Sequence, residues 1–117
     1  MTLADLTRII NAKVMVSGAI LDAEIKRVYA GDRISDLLNQ GDTETLLVTN
    51  LTGVHILRAA ELMDVPAICL LNGVSPEAEL ITAAERNTVV LLVSPYDMFE
   101  TCGRLYGCFT GAGERRQ

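Results

Sequence analysis

The sequence predicts an α/β fold in three layers, α/β/α, with a mostly parallel central sheet. The first observation is a set of three apolar runs, Leu46-Leu47-Val48, Ala67-Ile68-Cys69-Leu70-Leu71 and Val89-Val90-Leu91-Leu92-Val93. The second is that each run passes through a short polar turn into a helical pattern. Strands this evenly apolar have no wet face, so helices must cover them on both sides, which is the habit of parallel sheets and not of hairpins. The third is where the turns fall. In open α/β sheets the loops leaving the carboxyl ends of the strands line one edge, and ligands sit there.

The elements follow in order. Thr2 with Asp5 makes a capping box, and Leu3, Leu6 and Ile10 recur at helical spacing, so a first helix is expected to end near Asn11. Lys13 to Val16 and Glu24 to Tyr29 read as two strands around Ser17-Gly18, Leu21 and Asp22. The second alternates polar and apolar residues, as a strand near the sheet edge does. Asp32 is placed to cap a short helix through Leu38, and Gly41-Asp42 closes it. After Thr52-Gly53, the residues Ile56, Ala59, Ala60 and Met63 form one apolar helical stripe, and Asp64 to Pro66 returns the chain to the sheet. Ser75-Pro76 predicts an N-cap and first-position proline for a helix whose inward face is Pro76, Leu80, Ala83 and Ala84, closed by Asn87. Ser94-Pro95-Tyr96-Asp97 predicts the same start for the last helix.

That last helix has a surplus of apolar surface. Met98, Cys102, Leu105 and Phe109 form one stripe, and Phe99, Gly103 and Tyr106 form a second beside it. The second stripe is either core beneath the first helix or a subunit interface, with Gly103 admitting a close helix approach. One domain is expected over residues 1–110, with a flexible glycine-rich then basic tail over 111–117.

Composition bounds the function. A chain of 117 residues, 50% hydrophobic and 21% charged, makes one compact core with no room for a second substrate domain. A net charge of −5, no Trp and few aromatics argue against nucleic acid, which wants a basic surface and stacking platforms. The apolar runs fall well short of the roughly 18 residues a bilayer span needs, and no basic-then-apolar leader opens the sequence, so a cytoplasmic protein off the membrane is expected. Cys69 and Cys102 read as small core residues and Cys108 as an inert thiol near a helix end. One histidine with scattered cysteines supplies no metal site, and no cofactor is expected.

Chemistry-bearing motifs are scarce. There is no G-x-x-x-x-G-K-[ST] phosphate loop, no G-x-G-x-x-G after a strand and no G-x-S-x-G elbow, so phosphotransfer is unsupported and no catalytic residue is assigned. What remains is a ring of polar loop residues at the sheet edge: Asp32 and Ser35; Thr49, Asn50, Thr52, Gly53 and His55; Asn72, Gly73 and Ser75; Ser94, Tyr96 and Asp97. Three helix N-termini are expected to converge there, and their free N–H groups suit a phosphate or carboxylate. Capping alone accounts for Ser75, Ser94 and Asp97, and turn geometry for Gly73. His55 stands in a first helical turn without a Cys or Asp partner at motif spacing, so a solvated side chain explains it as well as an anion contact does.

As an ordered set, four segments resemble the DRTGG domain family, in its short stand-alone form, from the N-terminal helix to about Tyr106. They are Ala30-Gly31-Asp32-Arg33-Ile34-Ser35-Asp36-Leu37-Leu38, the Leu47-Val48-Thr49 strand with its turn, Leu71-Asn72-Gly73-Val74-Ser75-Pro76, and Ser94-Pro95-Tyr96-Asp97-Met98-Phe99-Glu100-Thr101. The chain departs from the family where its name-giving Asp-Arg pair falls, which here is Leu51-Thr52 or nearby, and its Thr-Gly-Gly turn reads Leu71-Asn72-Gly73. The resemblance implies a fold similar to the N-terminal domain of HPr kinase/phosphorylase, which is not that enzyme's catalytic part. It also implies regulatory roles, by likeness to members fused to CBS domains in pyrophosphatases and to phosphotransacetylases. Short members accompany iron-only hydrogenase components, which implies a redox-linked protein partner. The expected function is a noncatalytic, homodimeric regulatory or ligand-sensing module for an anionic small molecule such as an adenine nucleotide. The alternative is a protein-interaction adaptor without a ligand, and a third reading is a small enzyme with His55 or Asp97 as base.

Overall fold

The computed structural model describes residues 1–16 and 22–109. The expected turn at Ser17-Gly18 and Leu21, and the tail over 111–117, lie outside them. Ten elements follow in order: α1 (Leu3–Ile9), β1 (Lys13–Val16), β2 (Arg27–Ala30), α2 (Ile34–Gln40), β3 (Thr45–Thr49), α3 (Val54–Leu62), β4 (Ala67–Leu70), α4 (Ala78–Arg86), β5 (Val90–Val93) and α5 (Met98–Phe109). The five strands form one sheet in the order β1-β5-β4-β3-β2. β2, β3, β4 and β5 are mutually parallel, and β1 runs antiparallel beside β5 with a bulge between Val14 and Val16.

The three apolar runs are the three central strands, and every residue of β3, β4 and β5 is buried. Alternate side chains enter two separate cores. Leu47, Ile68, Leu70, Leu91 and Val93 meet Leu37 of α2, Ile56, Leu57 and Ala60 of α3, and Leu80 and Ala84 of α4. Leu46, Val48, Ala67, Cys69, Val90 and Leu92 meet Leu3 and Leu6 of α1 and Leu105 of α5. All three crossover helices therefore share one face, and α1 and α5 cover the other.

Local chemistry explains most element ends. The Thr2–Asp5 capping box is formed in both directions. Asn11, Asp64 and Thr88 take left-handed backbone angles just past the ends of α1, α3 and α4. Gly41 ends α2 where a Cβ would stand 2.9 Å from a Leu37 methyl and 3.0 Å from a Val65 methyl, so any larger residue there must push those side chains aside.

Several expected boundaries move. β2 covers Arg27–Ala30 instead of Glu24–Tyr29, because the chain before it serves α1: Glu24 bridges Thr2 and the Ile25 N–H donates to the Met1 carbonyl. α4 begins two residues later than Ser75-Pro76 predicts, with Glu77 at its N-cap and no side-chain cap hydrogen bond. α2 starts after Arg33, and Asp32 does not cap it. Asp97, not Ser94, caps α5 by accepting from the Glu100 N–H at 2.9 Å. Cys69 is fully buried, but Cys102 is only partly so.

Leu91 lies at the centre of the crossover-helix core with no solvent exposure. Leu91→Ala is expected to lower the unfolding free energy by about 2–5 kcal/mol, read from urea denaturation with an unchanged m-value.

Candidate functional site

Polar groups gather at the carboxyl ends of the parallel strands because the strands offer them no other place. Asp32 follows β2 and its carboxylate reaches across to the end of β3. It accepts from the Thr49 hydroxyl at 3.0 Å, from the Asn50 N–H at 2.7 Å and from the Asn50 side-chain amide at 3.3 Å. The Asn72 amide, after β4, donates in turn to the Asn50 side-chain oxygen at 3.3 Å. Four of the residues singled out in the sequence thus form one chain of hydrogen bonds across three loops. Partial desolvation raises the Asp32 pKa, but the three donated hydrogen bonds outweigh it and hold the carboxyl below its ordinary 3.8.

The β4 loop is fixed from its other side. Asn72 and Gly73 both take left-handed angles, and their N–H groups donate to the carbonyls of Tyr96 at 2.8 Å and Ser94 at 2.9 Å. Asn tolerates that conformation and glycine adopts it freely. The Ser94 side chain is buried, pairs with the Thr101 hydroxyl at 3.0 Å and accepts from the Tyr96 N–H at 3.2 Å. Its hydroxyl serves the interior. The Tyr96 ring stacks under the Arg104 guanidinium, 4.2 Å from its centroid.

Thr52 and Gly53 lead into α3 and His55 lies in its first turn, where no side chain caps the helix; with Ile34, Asn50 and Leu51 they line a cavity of about 430 Å³. His55 is exposed and has no hydrogen-bond partner among the described residues, so no acid–base pair is assembled around it. Ser35 is exposed on α2 and stands apart from the hydrogen-bonded chain. Gly73 and Ser75 line a second cavity of about 260 Å³, between the β4 and β5 loops, together with Asn11, Lys13, Met15, Val74, Val93 and Pro95. Asn11 and Lys13 were not legible as site residues, because β1 joins this edge only through its antiparallel pairing with β5.

The three cysteines are partly or fully buried. Burial pushes all three thiols up, Cys69 to about 12, which keeps them protonated at neutral pH. Among the described residues no group of His, Cys, Asp and Glu could hold a metal ion, and no helix is long and apolar enough to cross a membrane.

The second stripe of α5 is resolved by its exposure. Phe99 is 86% and Tyr106 70% exposed, and a Cβ added to Gly103 would meet nothing within 4 Å. The first helix does not cover this face.

The sequence matches the DRTGG domain over residues 5–108. This chain belongs to the DRTGG domain family. Among solved structures, the DRTGG chain is similar to the CBS and DRTGG domains of the regulatory region of Clostridium perfringens pyrophosphatase, complexed with its activator diadenosine tetraphosphate. The two share 15% identity with a TM-score of 0.74, over 89% of this chain and 45% of that one, so the likeness shows the fold. The DRTGG chain thus spans less than half of that neighbour. No curated protein sequence matches it.

The Asp32 network gives a pH prediction for this DRTGG domain. A carboxyl whose folded pKa is depressed contributes stability that is fully present above its unfolded value, about 3.9, and is lost as pH falls through the folded value. The stability difference between wild type and Asp32→Ala is therefore expected to be constant above about pH 5 and to shrink at lower pH. Urea unfolding of both proteins from pH 6 to 2 checks it, and a difference independent of pH would contradict the network's role in holding the carboxylate.

Proposed function

We propose that this DRTGG domain is a noncatalytic regulatory module that senses an anionic small molecule of the adenine-nucleotide class at its loop edge and works as a homodimer through α5. The observation that carries the reading is the hydrogen-bonded chain from Asp32 through Thr49 and Asn50 to Asn72, which holds three loops in one arrangement beside an uncapped α3 N-terminus. A pre-organised edge loses little conformational entropy on binding, and free helix N–H groups favour a phosphate. The fold's likeness to a regulatory region solved with diadenosine tetraphosphate supports a nucleotide as the first ligand to try. The exposed Phe99 and Tyr106 flanking Gly103 support the homodimer.

A second reading, an interaction adaptor without a ligand, is favoured by the groove of about 270 Å³ beside edge strand β2, lined by Val28, Ala30, Cys102, Leu105, Tyr106 and Phe109. Under this reading a protein partner, from a redox or hydrogenase system as the family resemblance implies, covers that groove.

Native mass spectra of the full chain with ADP, ATP and diadenosine tetraphosphate separate the two. The sensor reading expects a dimer that takes up one of them saturably, with Asn72→Ala weakening uptake by roughly 3- to 10-fold. A dimer that ignores all three favours the adaptor. Phe99→Glu places a charge on an already exposed position and is expected to give a folded monomer by analytical ultracentrifugation; a folded dimer would place the interface elsewhere.

A further inference from the structure

The cavity between the β4 and β5 loops stands at the point where the sheet's connections diverge. The helix leaving β4 packs on one face, with Leu80 and Ala84 in the first core, and the helix leaving β5 packs on the other, with Leu105 in the second. A crevice outside the carboxyl ends of strands whose connections part in this way is the usual ligand position of an open α/β sheet. Hydrogen bonds from Asn72 and Gly73 to the carbonyls of Tyr96 and Ser94 bridge the two loops beside the crevice. The antiparallel β1 then closes its side, with Lys13 paired opposite Val93.

The polar groups on this cavity are unspent. Lys13 forms no ion pair among the described residues, whereas Arg8, Lys26, Arg27, Arg33 and Arg104 each have a carboxylate partner. Arg58 and Arg86 share the groove between α3 and α4 with Glu61 and Glu79, but no carboxylate lines the Lys13 cavity. Neither the side chain of Asn11 nor the hydroxyl and N–H of Ser75 has a protein partner among the described residues. In a chain of net charge −5, a cation and unpaired donors facing a carboxylate-free crevice form a local exception that favours an anion.

We infer that this cavity binds the phosphoryl end of the ligand, with Lys13 as its counter-charge and Ser75 and Asn11 as hydrogen-bond donors. The inference deepens the sensing function proposed above and rests on it for the identity of the remainder of the ligand. At about 260 Å³ the cavity is smaller than the 300–1,000 Å³ of a site that encloses a whole drug-sized molecule, so it takes a mono- or diphosphate terminus and leaves the rest of a nucleotide outside.

The test is an amide NMR titration of the full chain at low salt with inorganic pyrophosphate and, separately, with ATP. Both probes are expected to shift the amides of Lys13, Val74 and Ser75. Lys13→Gln should weaken both by about tenfold or more, as the loss of a charge-assisted hydrogen bond does, while Lys13→Arg retains most of the affinity. Lys13 is exposed on an edge strand, and an otherwise unchanged amide spectrum verifies that the variants fold. Equal binding of the probes by wild type and Lys13→Gln overturns the inference and leaves the nucleotide reading standing. Lys13-dependent binding of pyrophosphate without any binding of ATP supports the cavity and overturns the nucleotide reading. No shift with either probe overturns both.

Discussion

Everything in this molecule follows from three central strands that cannot touch water on either face. Burying β3, β4 and β5 completely requires a helix layer on each side, and the described residues supply five helices, three on one face and two on the other. The interior then has little place for polar side chains. Thr45, Thr49, Ser94 and Thr101 are the buried polar residues among those described, and each hydroxyl has a hydrogen-bond partner. Polar side chains are displaced to the strand ends, where Asp32, Asn50 and Asn72 are hydrogen-bonded to one another.

The strand ends are stitched together instead of left as independent loops. Asp32 ties the β2 loop to the β3 loop, Asn50 and Asn72 tie β3 to β4, and the N–H groups of Asn72 and Gly73 tie β4 to β5. Each link is a modest interaction at a largely exposed position, so the set adds little to global stability. Its consequence is geometric. Four connections that would otherwise move separately share one conformation, which lowers the ordering cost of any ligand that spans them.

The layers and the strand positions were legible in the sequence because they rest on burial, and burial writes long runs and periodic stripes. Of the α3 stripe, Ile56, Ala59 and Ala60 are buried as their spacing demands, and Met63, at the C-cap, is partly so. The helix starts were less legible because one residue type serves several purposes. Ser75-Pro76 and Ser94-Pro95 look like caps, yet Ser75 is exposed in a loop and Ser94 is a buried hydroxyl paired with Thr101. Asp32 has the composition of a cap and acts as a cross-loop acceptor. Lys13 was invisible as a site residue for a topological reason: only the pairing of β1 with β5, 80 residues along the chain between Lys13 and Val93, brings it to the loop edge.

A regulatory role needs the ligand edge and the exposed face of α5 to influence each other, and influence requires contacts that differ between two states. The structure offers a direct connection. Asn72 donates through its N–H to the Tyr96 carbonyl, Asp97 next in sequence caps α5, and Phe99 lies two residues further on. The Tyr96 ring also rests on Arg104, whose guanidinium is paired with Glu100 and reaches the Ile9 carbonyl at the end of α1. The same contacts thus join the β4 loop both to the start of α5 and to its junction with α1. Were α5 held only by its core residue Leu105, loop and helix would move independently, and ligand binding at the edge would have no physical means of changing what Phe99 and Tyr106 present to a partner.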